Sequence, residues 1–187
     1  MRAMTAYTTG AILSGALVGA AAGLAGSVLR TSAFPAPWVA LGVAGVLLTI
    51  REIGVLPFPI PQIRRQTNKT WYHHLGPVTA AWWWGVDTGS GLTTIVTYSA
   101  YWLVVIAVLL HGSALYGALA LGLYALGRST AVLAPALSFR GQTGAIVELT
   151  QRLLRKRSAL HRWHASALSG ITLSLLANAI LERLPTL

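Results

Sequence analysis

The stretch WWWGVDTGSGLTTIVTYSAYW, residues 82–102, places one acid and a run of small and hydroxylated residues inside the longest apolar region of the chain, residues 76–110. As one straight helix that region would be about 50 Å long, against a hydrocarbon core of about 30 Å. Glycines permit non-helical backbone, and Asp, Ser and Thr side chains can hydrogen-bond the backbone groups that a break sets free. The stretch therefore predicts a broken span near Asp87. The alternative is an interfacial segment anchored by the three tryptophans, followed by an ordinary span from Gly91.

The composition around this stretch indicates a membrane protein. Apolar residues make up 55% of the 187 residues and charged residues 10%, whereas a soluble domain has about 25% charged residues. The net charge of +10 comes from cations between the apolar runs, which a positive-inside topology explains more simply than nucleic-acid binding. The absence of cysteine from the sequence excludes disulfides and thiolate metal sites within the chain.

Five apolar runs are long enough to be transmembrane helices, because a crossing needs about 20 residues. They are residues 8–29, 36–57, 76–110, 113–137 and 164–182. The basic linkers 58–75 and 138–163 should then be cytoplasmic, with the N-terminus inside and the C-terminus outside. We therefore expect an all-α, multi-pass protein of the cell membrane, with residues 1–187 forming a single transmembrane domain.

Two opposite charges lie inside the predicted spans. Asp87 and Arg128 fall at similar depths in consecutive antiparallel spans, so they are candidate partners. Such a pair can simply pin two helices, or it can form a gate or a ligand site. The hydroxyl side chains beside Asp87 could bind a solute or ion, although they also serve as contacts between helices. The candidate binding residues are Asp87, Ser90, Thr93, Thr94, Thr97, Tyr98, Arg128 and, as a second acid, Glu52.

Other polar residues have ordinary explanations. Arg51 near the end of span two can extend to the membrane surface, and Glu52 beside it is expected to be interfacial and solvated. The histidines show no zinc or HExxH spacing, so no metal or other cofactor is predicted. Span one carries five glycines, in GAILSGALVGAAAGLAGS, and these predict close packing against other helices.

The second basic linker contains an amphipathic pattern. In AIVELTQRLLRKR, residues 145–157, apolar residues recur at helical spacing among cations. This predicts a short helix on the inner leaflet that binds anionic lipid headgroups; docking of a protein partner is the alternative. The cations concerned are Arg152, Arg155, Lys156 and Arg157.

The segment GLTTIVTYSAYWLVVIAVLLHGSALYGALALGLYALGRS resembles the second half of the DsbD/CcdA family of transmembrane electron carriers. Residues 91–95, GLTTI, occupy the place of that family's G-W-T-P-C pattern, and residues 124–127 match its Y-A-L-G. Ile95 stands in place of the redox cysteine, and span one lacks the family's S-P-C. The resemblance implies two inverted three-helix repeats, so a sixth span could be lost or hidden, and a helix broken at the membrane centre. It cannot imply thiol chemistry.

Two functions follow from this pattern. The first is translocation of a small solute or ion at the broken helix, where transporters of this kind bind substrate. The second is a non-catalytic membrane subunit that anchors or stabilises a larger redox or transport complex. A lipid-modifying enzyme is a third idea, with only Glu52 and His73 or His74 as acid and base. We therefore expect a protein that is not an enzyme.

Overall fold

The computed structural model describes residues 1–29, 37–60, 70–91, 99–139 and 143–181, and within these ranges the regular structure is entirely helical. The all-α prediction is therefore confirmed for this part of the chain. The helices in the described ranges are α1 (Arg2–Leu29), α2 (Pro37–Glu52), α3 (Trp71–Ser90), α4 (Ala100–His111), α5 (Ala114–Ser138), α6 (Thr143–Arg155) and α7 (Arg157–Leu181).

Helix α1 packs against α3, α4 and α5, and its glycines let two of these helices approach its backbone. A Cβ atom added at Gly19 would collide with the carbonyl group of Gly117 in α5, and one added at Gly10 would collide with that of Trp82 in α3. Such close approach requires residues without side chains. The packing predicted from the glycines of span one is therefore confirmed.

The interruption predicted within residues 76–110 is also confirmed. Helix α3 ends at Ser90, Gly91 has a left-handed φ of 64°, and α4 begins at Ala100. Both helices run parallel to α1, one after the other: Gly89 packs against Ala11 and Ser14, and Leu109 lies against Gly26. Since Ser99 precedes Leu109 by about 15 Å of helix, both ends of the interruption lie near the middle of α1.

Helices α2 and α7 form an antiparallel pair on the other side of α4. Gly45 contacts Thr172, and Leu48 shares an apolar core with Leu103 of α4 and Leu168 of α7. Helix α2 is antiparallel to α4, and α5 is antiparallel to α1. The segments that correspond to the five predicted spans therefore alternate in direction along the chain.

Several helices have bounds that differ from those of the predicted spans. Helix α2 ends at Glu52 rather than at residue 57, because Gly54 takes a φ of 81° and prolines follow at 57 and 59, which cannot supply an N–H to a helix. Helix α7 begins at Arg157 rather than at residue 164, so the linker 138–163 contains α6 and about the first two turns of α7. The predicted start of span three, Gly76, is a kink inside α3 with a φ of 75°.

The longest apolar helices are α1 and α5. Among the described residues, these two are long and apolar enough to cross a membrane by length and composition. This weakly suggests a membrane protein. Five crossings remain a prediction.

Candidate functional site at the interrupted helix

The first part of the candidate site is the C-terminal end of α3. The last carbonyl groups of a helix have no partner within it, and here side chains supply the missing donors. Arg128 Nη1 donates to the Thr88 carbonyl oxygen at 3.1 Å, and the Tyr101 hydroxyl donates to the Ser90 carbonyl oxygen at 3.0 Å. Ser90 Oγ donates to the Asp87 carbonyl oxygen at 3.0 Å. The charge of Arg128 also opposes the negative end of the helix dipole. These three carbonyl groups at the break therefore have hydrogen-bond donors inside the bundle.

Arg128 bonds to the end of α3 that carries Asp87. The guanidinium group of Arg128 reaches the carbonyl of the residue that follows Asp87, and Asp87 is buried, with 6% of its surface exposed. A direct ion pair between the two side chains remains a prediction.

Of the hydroxyl residues predicted to form the site beside Asp87, the structure describes Ser90. The Ser90 hydroxyl bonds within its own helix. The other four predicted hydroxyl residues lie outside the described residues: Thr93, Thr94, Thr97 and Tyr98.

The second part of the site is the N-terminal end of α4, where the first N–H groups lack partners. Glu52 Oε2 accepts hydrogen bonds from the Ser99 backbone N–H at 3.1 Å and from the Ser99 hydroxyl at 2.5 Å. Arg51 Nη1 donates to the Ser99 hydroxyl at 2.9 Å, and Arg51 Nε donates to the Phe58 carbonyl oxygen at 2.9 Å. The acid thus lies at the positive end of the helix that follows the break, which is the favourable arrangement.

The solvated role expected for Glu52 was therefore wrong. Glu52 is 3% exposed, and the Arg51 side chain, 22% exposed, bonds inside the fold rather than extending to a membrane surface. The physical reason is that α2 ends beside the interruption, where the N-terminus of α4 needs an acceptor.

His161 is the member of the candidate site that sequence reasoning missed at this position. Its Nδ1 lies 3.3 Å from Glu52 Oε1, and its Nε2 lies 2.6 Å from the Glu52 backbone oxygen. The histidines first paired with Glu52, His73 and His74, are exposed on α3, whereas His161 belongs to α7. Separated from Glu52 by 109 residues, His161 gave no spacing signal.

Together the two ends of the break form what we call the mid-bundle polar layer. The layer brings two acids, two guanidinium groups and an imidazole to about the height of the middle of α1. No group of three potential metal ligands occurs among the described residues. The members of the layer are Arg51, Glu52, Asp87, Ser99, Arg128 and His161.

Comparison of the chain with known proteins gives no relative. No family model, curated protein or solved structure matches it. The resemblance to the DsbD/CcdA family therefore stays a prediction, and the function has to be argued from the layer itself.

Proposed function

We propose that this protein crosses the cell membrane five times and translocates a small solute or ion through the mid-bundle polar layer. Large apolar side chains on α1 and α5 point away from the fold, as lipid contact requires: Leu17 is 71% exposed and Leu119 is 58% exposed. Most of the basic linkers 58–75 and 138–163 would then be cytoplasmic, together with the N-terminus, while His161, at the end of the second linker, belongs to the layer.

The single observation that carries this proposal is the break itself. In transporters, discontinuous helices near the bilayer centre present positive N-terminal ends to anionic groups and carbonyl-lined C-terminal ends to cations. Here Glu52 lies on the N-terminus of α4, and Arg128 lies on the C-terminus of α3. A translocated ion or polar solute would compete for these same helix ends.

Helix α6 supports the orientation. Its exposed cations include Arg152, which forms an ion pair with Glu148 at 2.6 Å, and Leu153 and Leu154 are exposed beside it. A basic helix with exposed apolar side chains suits an inner leaflet rich in anionic lipid. Arg155 also belongs to α6, Lys156 follows it, and Arg157 opens α7.

The proposal is tested with purified protein in liposomes, by measuring flux of small ions and of a panel of polar solutes against empty vesicles. Arg128→Gln removes the charge at the α3 end and should abolish or strongly reduce any flux found. Arg152→Gln, which removes an exposed arginine of α6, is the matched control and should leave flux unchanged. Folded wild-type protein that conducts nothing above the empty-vesicle background would contradict translocation.

The second candidate function is a non-catalytic subunit of a membrane complex. The observation that favours it is the same exposed apolar surface, because Leu13, Leu24 and Leu123 could contact other transmembrane helices as well as lipid. Purification in mild detergent separates the two functions. A chain that is stable alone supports the translocator, whereas fixed co-purifying partners and unfolding in their absence would support the subunit.

A further inference from the structure

The contacts between His161 and Glu52 determine where one proton must lie. His161 Nε2 is 2.6 Å from the Glu52 backbone oxygen. A carbonyl oxygen can only accept a hydrogen bond, so Nε2 must carry the hydrogen, a tautomer inferred from its partner. A neutral histidine has one N–H. In the neutral ring, Nδ1 would therefore present a lone pair.

That lone pair would face an atom that also lacks a hydrogen. Nδ1 lies 3.3 Å from Glu52 Oε1, and the ionised carboxylate is acceptor-only. Both donors from Ser99 go to Oε2, and Oε1 is buried with no hydrogen bond among the described residues. A buried acceptor without a donor is unfavourable. One additional proton turns the contact into a donor facing an acceptor.

We propose that Glu52 and His161 hold one exchangeable proton between Oε1 and Nδ1, and that this proton is the coupling ion of the layer. The second clause rests on the proposed translocation, whereas the first does not. The proton comes from water that reaches His161, whose side chain is 48% exposed in the fold, whereas that of Glu52 is 1% exposed. On release the proton returns to water, and no other bond forms or breaks.

Other polar and ionisable groups face this pair from α2, α4 and α7. Arg51 Nη1, on α2, lies 3.9 Å from Glu52 Oε2. His164, one turn beyond His161 on α7, interacts electrostatically with both members of the pair, and the described part of α4 contributes Ser99. Because the two sites are in contact, the proton belongs to the pair rather than to either residue.

The position of the pair links the proton to the interruption. The carboxylate that shares the proton also accepts from the Ser99 N–H at the start of α4, while His161 connects it to α7. Loss of the proton leaves Glu52 Oε1 facing the lone pair of His161 Nδ1 at the α2–α7 contact. Proton occupancy therefore changes the interactions of α2 with both α4 and α7.

Spectroscopy on the purified full chain tests the proton without any transport measurement. Nitrogen-15 histidine reports which ring nitrogens of His161 are protonated, with His161→Gln for assignment. Infrared spectra with carbon-13 glutamate report a protonated carboxyl group. Near neutral pH we expect either a doubly protonated His161 or a carboxylic acid band from Glu52. An ionised Glu52 together with a neutral His161, or a ring protonated on Nδ1 alone, would overturn the proposal.

The variant Glu52→Gln replaces the shared proton by a fixed amide donor of nearly the same shape. We expect it to fold, to leave His161 neutral with its hydrogen on Nε2, and to lose any Glu52 band. Glu148→Gln removes an exposed acid of α6 and is the matched control, with His161 unchanged. If Glu52→Gln does not fold, the wild-type spectra still decide the question.

Liposomes then test the coupling separately. A pH gradient should drive solute flux in the wild type, and Glu52→Gln should lose this coupling while Glu148→Gln retains it. If spectroscopy detects the shared proton but no solute shows flux, translocation and the coupling role are overturned and the proton site still stands. Flux without the shared proton would overturn the proton site and leave translocation standing.

Discussion

Arg128→Gln is the substitution whose effect on stability can be worked out most fully from the structure. It removes the donor to the Thr88 carbonyl at the end of α3, and a hydrogen bond from a charged group contributes about 1.5–3 kcal/mol. If Arg128 also forms an ion pair with buried Asp87, removal of one partner raises the loss to about 3–5 kcal/mol. The free energy of unfolding in detergent should fall by an amount in one of these two ranges.

A double-mutant cycle with Asp87→Asn separates the two contributions. Asp87→Asn removes the acid but leaves the Thr88 carbonyl, so Arg128→Gln in that background should still cost about 1.5–3 kcal/mol. The double variant should recover part of the summed losses if the ion pair exists, and the losses should add if it does not. An Arg128→Gln variant as stable as the wild type, within about 0.5 kcal/mol, would refute the account of the α3 end.

Three further predictions concern packing, orientation and lipid contact. Gly19→Ala should lower the free energy of unfolding by about 1–3 kcal/mol because the added methyl group meets the α5 backbone. Gly127→Ala is the control: a Cβ added there has nothing within 4 Å, so this change should be neutral or slightly stabilising. Equal effects of the two substitutions would refute the close packing. Single cysteines at Thr67 and Ser158 should react only from the cytoplasmic side, and labelling from outside intact cells would refute the topology. Replacing Arg152, Arg155 and Arg157 with glutamine should weaken binding to anionic vesicles by roughly 1 kcal/mol per charge. Unchanged binding would indicate that this helix docks a protein partner instead.

The sequence was informative wherever the cause was local. The excess length of the apolar region and the breaker residues in GVDTGSG predicted an interrupted helix, and α3 ends at Ser90. The glycines of span one predicted close packing. Opposite charges at matched depth predicted that Arg128 would lie near Asp87, and it bonds to the adjacent residue.

The other half of the site depends on tertiary structure and could not be read from the chain. Glu52 and Ser99 are 47 residues apart, and Glu52 and His161 are 109 residues apart. Their meeting requires α2 to end beside the interruption, yet the apolar run of span two continues past Glu52 and concealed that end. A buried acid at a helix N-terminus therefore resembled an interfacial acid in the sequence.

The central claim is that the interruption lies at the centre of a lipid bilayer, and the depth of α1 tests this most directly. The sequence has no cysteine, so single cysteines can be introduced at the exposed residues Leu13, Leu17 and Leu24 and spin-labelled in liposomes. Leu17 is near the level of the break. Accessibility to oxygen over a polar relaxation agent should be greatest for the label at Leu17 and lower at the other two positions. A label at Leu17 that is more accessible to the polar agent than those at Leu13 and Leu24 would contradict the account.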